Sequence, residues 1–371
     1  MKTVVAMSGG VDSCVAAWLL AESGHDLVGI SMQLWDALRH GGTESRCCSP
    51  ADFRDARLLA ARAGFPYYIL DYEKAFAERV VQPFAGDYLR GLTPNPCVEC
   101  NRHLKFGALI DTARDLGADM LATGHYARVD VDPASGRRRL RRARDQGKDQ
   151  SYFLYSLTPG ALERLLFPLG ELTKDEVRAI ARRAGLGVAD KPESQDLCFL
   201  GKGSRLDFLA RAAPERIGDA GEIVSTSGRS MGRHRGLAGF TVGQRRGLGG
   251  LAGGPWYVVR LDGPANRVVV GREEEQFATG LEAVGVNWLS GEPPPGRCEA
   301  QVRIRHSHVP APAVVEASGR DQVRVRFRIP QRAVAPGQAA VFYDEDTLLG
   351  GGRIERADLC SPPPASTGAP A

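Results

Sequence analysis

The residues able to do chemistry in this chain are three cysteines and one glycine-rich turn. The stretch TPNPCVECNRHLKFG, residues 93–107, places Cys97 and Cys100 just after a rigid Pro-Asn-Pro. Asn95 and Pro96 read as the N-cap and first residue of a helix. The two sulfurs then fall in its first turns on one face, where a helix N-terminus favours thiolate. Such a pair suits half of a zinc knuckle, a redox dithiol, a cluster ligand pair or a reactive thiol with a neighbour. A third sulfur, Cys198, lies in DKPESQDLCFL, a polar segment with Lys191, Glu193, Gln195 and Asp196. Structural zinc is disfavoured, because four-cysteine sites show two close pairs and no second CxxC is present. Cys47 and Cys48 are adjacent, which is poor for chelation; Cys14 and Cys298 sit in apolar or proline-rich contexts, and Cys360 by the tail.

The glycine-rich turn is AMSGGVDS, Ala6 to Ser13. It joins an apolar β run to a helical run. Gly9 and Gly10 let the backbone turn tightly and approach a ligand. The free N–H groups of the next helix make an anion site, and Ser8 and Ser13 add hydroxyl donors. Asp12 is out of place beside an anion, which implies that it holds a metal ion or fixes the loop. No Gly-Lys-Ser/Thr follows, so this is not a Walker loop.

The elements that must position these groups alternate in type. TVVAM (3–7), DLVGISMQLW (26–35), PYYILDY (66–72) and DMLATG (119–124) read as strands, with helical patterns between them. That order implies an α/β fold, a Rossmann-like parallel sheet with helices on both faces. Ligands of such sheets bind beyond the carboxyl ends of the strands, here AMSGG, MQLW and ATGHY. A hairpin with an arginine-rich arm is expected around GRRRLRRAR (136–144), then helices at about 158–166 and 173–185, the second with a Thr173/Glu176 capping box. Beyond about residue 215 glycine, proline and strands dominate. QVRVRFRIP alternates, with Val323, Val325, Phe327 and Ile329 on one face and Arg324, Arg326 and Arg328 on the other. The expected organisation is a catalytic domain over residues 1–214, a small β-rich module over 215–275, an antiparallel β-barrel over 276–358 and a disordered tail over 359–371.

The chain of 371 residues has room for two or three cores. No run of 18 apolar residues suggests a membrane span, and the N-terminus lacks the pattern of a signal peptide. The eight cysteines are therefore read as reduced thiols of a cytoplasmic protein. The net charge of +4 decides little. The clusters at 136–144, 303–306 and 324–328 suit a polyanion or a solvated arginine-rich face.

SGGVDS resembles the PP-loop of the ATP pyrophosphatases, which split ATP between its α and β phosphates. The further strings CCS (47–49), TPNPCVECN, ATGHYARV, KDQSYFLY, FPLGELTKDEVR, ESQDLCFL, FTVGQRRGLG and PGQAAVFY follow in one order over about residues 1–358. Together they resemble the bacterial tRNA-specific 2-thiouridylases. The resemblance implies a PP-loop ATPase domain that binds ATP with magnesium and adenylates the C2 oxygen of the wobble uridine of tRNA. A persulfide sulfur, brought by a sulfur-carrier protein or cysteine desulfurase, then displaces AMP. It implies ATP contacts at Ala6, Met7, Ser8, Gly9, Gly10, Val11, Asp12, Ser13, Met32 and Gly124. It implies Cys198 as persulfide carrier and Cys100 as the second catalytic cysteine. Asn95, Pro96 and Cys97 match the segment that meets the target base. His125, Lys148, Asp149, Gln150, Arg305, His306 and Gln338 match positions that touch tRNA, with the basic hairpin and barrel holding its anticodon arm.

Cys97 departs from the resemblance, since many of these enzymes carry aspartate there. Two mechanisms stay open. In one, Cys100 attacks a persulfide on Cys198 and leaves a disulfide. In the other, Cys97, Cys100 and Cys198 ligate three irons of a [4Fe-4S] cluster with one open corner. Other PP-loop chemistries, such as amide ligation, need no reactive cysteine. A non-catalytic RNA-binding module would need no ATP turnover.

Overall fold

The structure is a computed structural model. It describes residues 1–35, 49–192, 197–200, 205–212 and 219–360. Cys47, Cys48, Glu193, Gln195, Asp196 and the tail from residue 361 lie outside them.

Apolar runs near the N-terminus form the central parallel sheet. Its strands are β1 (Lys2–Ala6), β2 (Asp26–Gln33), β3 (Tyr67–Asp71), β4 (Met120–Thr123) and, further on, β7 (Leu165–Leu166), in the order β3-β2-β1-β4-β7. Alternate side chains of β1 go to opposite faces. Val4 joins one hydrophobic cluster, and Val5 joins another with α1 (Val11–Glu22) and α2 (Pro50–Ala63). Ser49 caps α2 in a box with Asp52, and Gly64 ends it at φ +79°. β7 was expected to be the end of a helix at about 158–166. That helix, α7 (between α6 and α8 in the chain), is only Pro159–Leu162. Leu165 is wholly buried and pairs with Leu121 of β4, so sheet burial overrides the helical pattern.

Between β3 and β4 run α3 (Glu73–Phe76), a π segment (Ala77–Val81), α4 (Gln82–Leu89), α5 (Pro96–Cys100), a second π segment (Asn101–Ala108) and α6 (Leu109–Asp115). The expected helix α8 (Lys174–Arg183) has its Thr173/Glu176 capping box, and α9 (Arg205–Ala212) follows.

The arginine-rich hairpin exists as β5 (Ala127–Val131) and β6 (Arg138–Arg142). It does not stand alone. Arg141 pairs with Thr347 of the barrel, and Arg142 N donates to Asp346 O at 2.8 Å. Its arginines face carboxylates: Arg139 Nε lies 2.6 Å from Asp130, and Arg141 reaches both Asp130 and Asp346.

The middle module is a four-stranded sheet of β8 (Gly221–Ser225), β9 (Ser230–His234), β10 (Tyr257–Asp262) and β11 (Arg267–Gly271), ordered β10-β11-β8-β9. The C-terminal barrel comprises β12 (Phe277–Trp288), β13 (Arg297–Arg303), β14 (Ala311–Ala317), β15 (Gln322–Arg332), β16 (Ala339–Asp344) and β17 (Thr347–Leu359). All its pairings are antiparallel, and β12 with β17 closes it. Val302, Ile304, Val323, Val325 and Phe327 fill its core. Ile329 does not: it is 66 % exposed. Pairing with β14 stops at Phe327, so nothing covers the next position on that face.

Candidate active site

β1 ends at Ala6, partly buried, and the chain turns through Met7 to Gly10 before α1 begins. Gly10 is the N-cap in extended geometry with no side-chain cap, so the first N–H groups of α1 face outward from the turn. Gly9 has φ +72°, and a Cβ there would stand 2.2 Å from Asp52 O. At Gly10 a Cβ would meet nothing closer than Ser8 Oγ at 3.6 Å. Gly9 is therefore demanded by the fold, whereas Gly10 leaves open space in the cradle. Gly124 is demanded too, because a Cβ would lie 2.7 Å from Ser13 N. The end of β4 thus seats directly on the loop.

Hydrogen bonds fix the loop from within. Ser8 N donates to Ser13 Oγ at 3.1 Å, and Ser13 Oγ donates to Gly10 O at 3.1 Å. Lys191 Nζ donates to Gly9 O at 3.0 Å and to Asp52 at 2.6 Å and Asp55 at 2.9 Å. Met7, Val11 and Met32 are buried around this turn, Met32 near the carboxyl end of β2. Cys14, one helical turn into α1, is buried, and desolvation with Asp55 nearby pushes its thiol up to about 12. It is inert packing, as expected.

Asp12 fixes the loop. Its carboxylate accepts from Lys174 Nζ at 2.7 and 2.8 Å and from Tyr126 Oη at 2.7 Å. Neither partner was singled out from sequence. Lys174 directly follows the Thr173 N-cap inside its capping box, and nothing local told which helix end meets the loop.

The cysteine helix begins as expected at Asn95 and Pro96, except that the Asn95 side chain makes no capping bond. Cys97 is exposed, whereas Cys100 is only 8 % exposed. Cys100 belongs to the large hydrophobic cluster, and Cys198, half-buried, packs against that same cluster beside Phe199. After Cys100 the helix widens into its π segment, a distortion common at functional sites. Asn101, buried there, donates Nδ2 to Phe153 O at 3.0 Å. The cluster reading needs three thiolates around one centre. Among the described residues no group of three His, Cys, Asp or Glu side chains is gathered to hold a metal ion. Cys97, Cys100 and Cys198 therefore do not fit a [4Fe-4S] site in this arrangement.

The residues expected to touch tRNA divide. His125 is set beside the loop, bonded to Thr123 Oγ1 at 2.8 Å and packed between Phe106 and Phe167. Burial first, and Lys105 second, lower its pKa well below the ordinary imidazole value. Asp149 is 2 % exposed and accepts from Ala143 N, Ser151 N, Ser151 Oγ and Arg303 Nη1. Gln150 accepts from Tyr126 N at 3.0 Å, and Lys148 is partly exposed. His306 stacks on Phe153 at 4.7 Å and bonds Asp149 O. Arg305 donates to Arg332 O at 3.2 Å. Gln338 donates to Thr93 O at 2.9 Å, so it clamps the segment leading to Cys97. A cleft of about 510 Å³ lies between α4, α5 and the barrel, lined by Asn95, Glu99, Arg102, Tyr155 and Arg353 among others. It uses Pro96, Val98 and Glu99 of α5 rather than Cys97 and Cys100.

Three family models cover almost all of this architecture. Residues 1–202 match the tRNA methyl transferase HUP domain, 206–272 the tRNA methyl transferase PRC-barrel domain and 278–354 the aminomethyltransferase beta-barrel domain. A tRNA-specific 2-thiouridylase MnmA of Carboxydothermus hydrogenoformans is 49 % identical over 357 residues, covering 96 % of this chain and 98 % of the relative. The protein of that name from Acidobacterium capsulatum is 48 % identical over 365 residues, covering 94 % and 98 %. That of Methylobacterium sp. strain 4-46 is 48 % identical over 367 residues, covering 96 % and 95 %. With the phosphate loop, the paired cysteines and the closing barrel in the same order, the chain belongs to the tRNA-specific 2-thiouridylase MnmA family.

Proposed function

We propose that this protein is an ATP-dependent tRNA-uridine 2-sulfurtransferase acting on the wobble uridine. The observation that carries the reading is the placement of Cys100 and Cys198 against one apolar cluster, in the domain whose sheet presents the SGGVDS loop. An amide-forming relative would need the loop and not the sulfurs.

A uracil C2 oxygen is a poor leaving group. Transfer of AMP from ATP to that oxygen, with loss of pyrophosphate, makes it a good one. Such transfers rely on charge neutralisation and positioning. The α1 N-terminus and the Ser8 hydroxyl supply donors to phosphate oxygens, while the Ser13 hydroxyl donates to Gly10 O and holds the loop. Magnesium would accompany the nucleotide and neutralise phosphate charge. The Asp12 carboxylate already serves Lys174 and Tyr126. The target base leaves its stack to reach the site, beside Asn95, Pro96 and Cys97.

A persulfide on Cys198, loaded by a sulfur-carrier protein or cysteine desulfurase, supplies the sulfur. Its terminal sulfur bonds to C2 and AMP departs with the C2 oxygen. The Cys100 thiolate then attacks the Cys198 sulfur. The sulfur–sulfur bond breaks toward the base, leaving 2-thiouridine and a Cys100–Cys198 disulfide that an external thiol reductant reopens. Low exposure of Cys100 shields its sulfur from other oxidants.

Incubating the protein with tRNA, ATP and a persulfide donor, then digesting the tRNA for nucleoside mass spectrometry, tests the assignment. The expected product is 2-thiouridine at the wobble position, with AMP and pyrophosphate formed only when tRNA is present. AMP formation on another acceptor, with no thiolated nucleoside, would overturn it.

A further inference from the structure

The string FTVGQRRGLG is part of the resemblance, yet the reaction above gives it no task. In the structure it forms a glycine-rich turn of the middle module. Gly247, Gly249 and Gly250 have φ of +80°, +73° and +69°. The turn is built rather than loose at its base: Gln244 accepts from Thr241 N at 3.0 Å and donates to Arg246 O at 2.9 Å. Gly243 N donates to Val258 O, and Val258 N donates to Gln244 O, tying the turn to β10.

Arg245 and Arg246 project from this turn, both exposed. Among the described residues neither has a carboxylate partner. Several exposed arginines elsewhere are neutralised: Arg324 and Arg356 share Glu282, and Arg328 meets Glu299. Arg245 lines a shallow hollow of about 330 Å³ with the glycine backbone, Leu248, Pro255 and Trp256. No carboxylate lines it. Arg272 covers Trp256 at 4.0 Å, adding a further cation beside the hollow.

The turn is also continuous with the barrel. A Cβ at Gly243 would lie 2.8 Å from Ala333 Cβ. The preceding Arg332 stacks over Tyr257 at 5.1 Å, meets Glu273 at 3.3 Å and accepts through its carbonyl from Arg305. Through the Gly243–Ala333 contact the turn adjoins the barrel segment that carries Arg332, whose carbonyl holds Arg305.

We propose that the Arg245–Arg246 turn is a phosphate-binding contact for the backbone of the bound tRNA, extending the interface at Arg305 and His306 onto the middle module. It rests on the thiouridylase reading for the identity of the polyanion. Two exposed cationic side chains with no carboxylate partner among the described residues suit phosphate oxygens as positive charges, and glycine backbone permits close approach.

Measuring tRNA affinity of the full chain against salt, for the native protein and R245A/R246A, tests this. The double variant is expected to weaken tRNA binding about tenfold near physiological salt and to flatten the slope of log K against log salt by about 1–2. The turnover rate at saturating tRNA, AMP binding and thermal midpoint should stay unchanged. R245K/R246K should recover most of the affinity, since charge rather than side-chain shape is at issue. Unchanged affinity and slope in R245A/R246A, or no recovery with lysines, would overturn the proposal. If the native protein neither binds nor thiolates tRNA, the underlying reading fails instead, which is a separate result.

Discussion

Lys174 Nζ sits 2.7 and 2.8 Å from the two carboxylate oxygens of Asp12, in the first turn of α1 beside the loop proposed to receive the nucleotide phosphates. A carboxylate at that point would repel pyrophosphate if left uncompensated. Lys174, itself buried, cancels that charge and ties α8 to the loop. Lys174→Met should lower ATP affinity by about 10–100-fold, the worth of one charge-assisted bond. Isothermal titration with ATP checks it, and affinity within twofold of native would remove Lys174 from the phosphate site.

The loop glycines Gly9 and Gly10, and Gly124 that packs on Ser13 just beyond β4, should fail differently. Gly9→Ala forces a methyl against Asp52 O at a left-handed φ, so the protein should lose stability by about 1–3 kcal/mol or more. Gly124→Ala pushes β4 off Ser13 and should behave alike. Gly10→Ala meets nothing closer than Ser8 Oγ at 3.6 Å and should melt close to the native temperature. Its methyl instead fills the cradle, so ATP binding should be lost. Thermal melts paired with nucleotide titration separate the cases, and a strongly destabilised Gly10→Ala would contradict the geometry.

The exposure difference between Cys97 and Cys100 divides the two sulfur chemistries. Cys97→Ser changes an exposed side chain and should shift stability by no more than about 0.5 kcal/mol. Under reductant, with a persulfide donor, it should retain thiolation. Cys100→Ser and Cys198→Ser should abolish thiolation while still binding tRNA. The contrary outcome is concrete: a brown protein after anaerobic purification, with about four irons per chain that vanish in Cys97→Ser. That result would restore the cluster.

Acidification should destabilise the fold through its histidines. Burial, ahead of any charge, lowers the pKa of His125, His234, His306 and His308. The unfolded chain takes up these protons near pH 6.5, and the folded protein resists them. Their contribution is therefore complete above about pH 6.5 and declines as the pH falls from there toward the folded values. The thermal midpoint should drop between about pH 7 and pH 5, and His125→Asn should lessen the drop. A midpoint that rises on acidification would reverse the sign.

Local signals were legible where chemistry and backbone geometry coincide. SGGVDS between strand and helix, Pro96 at a helix start and Thr173 with Glu176 each specify their element from neighbouring residues. What the sequence hid is long-range. β7 is two residues long and exists only because Leu165 finds β4. The hairpin arginines looked free for a polyanion, but Asp346, over two hundred residues away, holds Arg128 and Arg141. Ile329 kept the alternation of its strand after the covering strand had ended. Asp12 gave no hint that its partners are Lys174 and Tyr126.

Gln338 shows how a position expected to meet RNA acts through the protein. Its amide donates to Thr93 O at 2.9 Å, while Thr93 N donates to Pro336 O at 2.9 Å. Gly337, at φ +93°, packs so closely that a Cβ would stand 2.7 Å from Thr93 N. The PGQ turn of the barrel therefore grips the backbone that leads into Asn95, Pro96 and Cys97. Gln338→Ala removes one side chain–backbone bond worth about 0.5–1.5 kcal/mol. The global fold should survive, but the segment expected to meet the target base should loosen. The turnover rate for thiolation should fall several-fold while tRNA affinity changes by less than about twofold, since misplacement of reacting groups costs rate. Filter-binding and single-turnover assays on the same variant decide it. A large loss of affinity with an unchanged single-turnover rate would mean that Gln338 spends its amide on the RNA and not on Thr93.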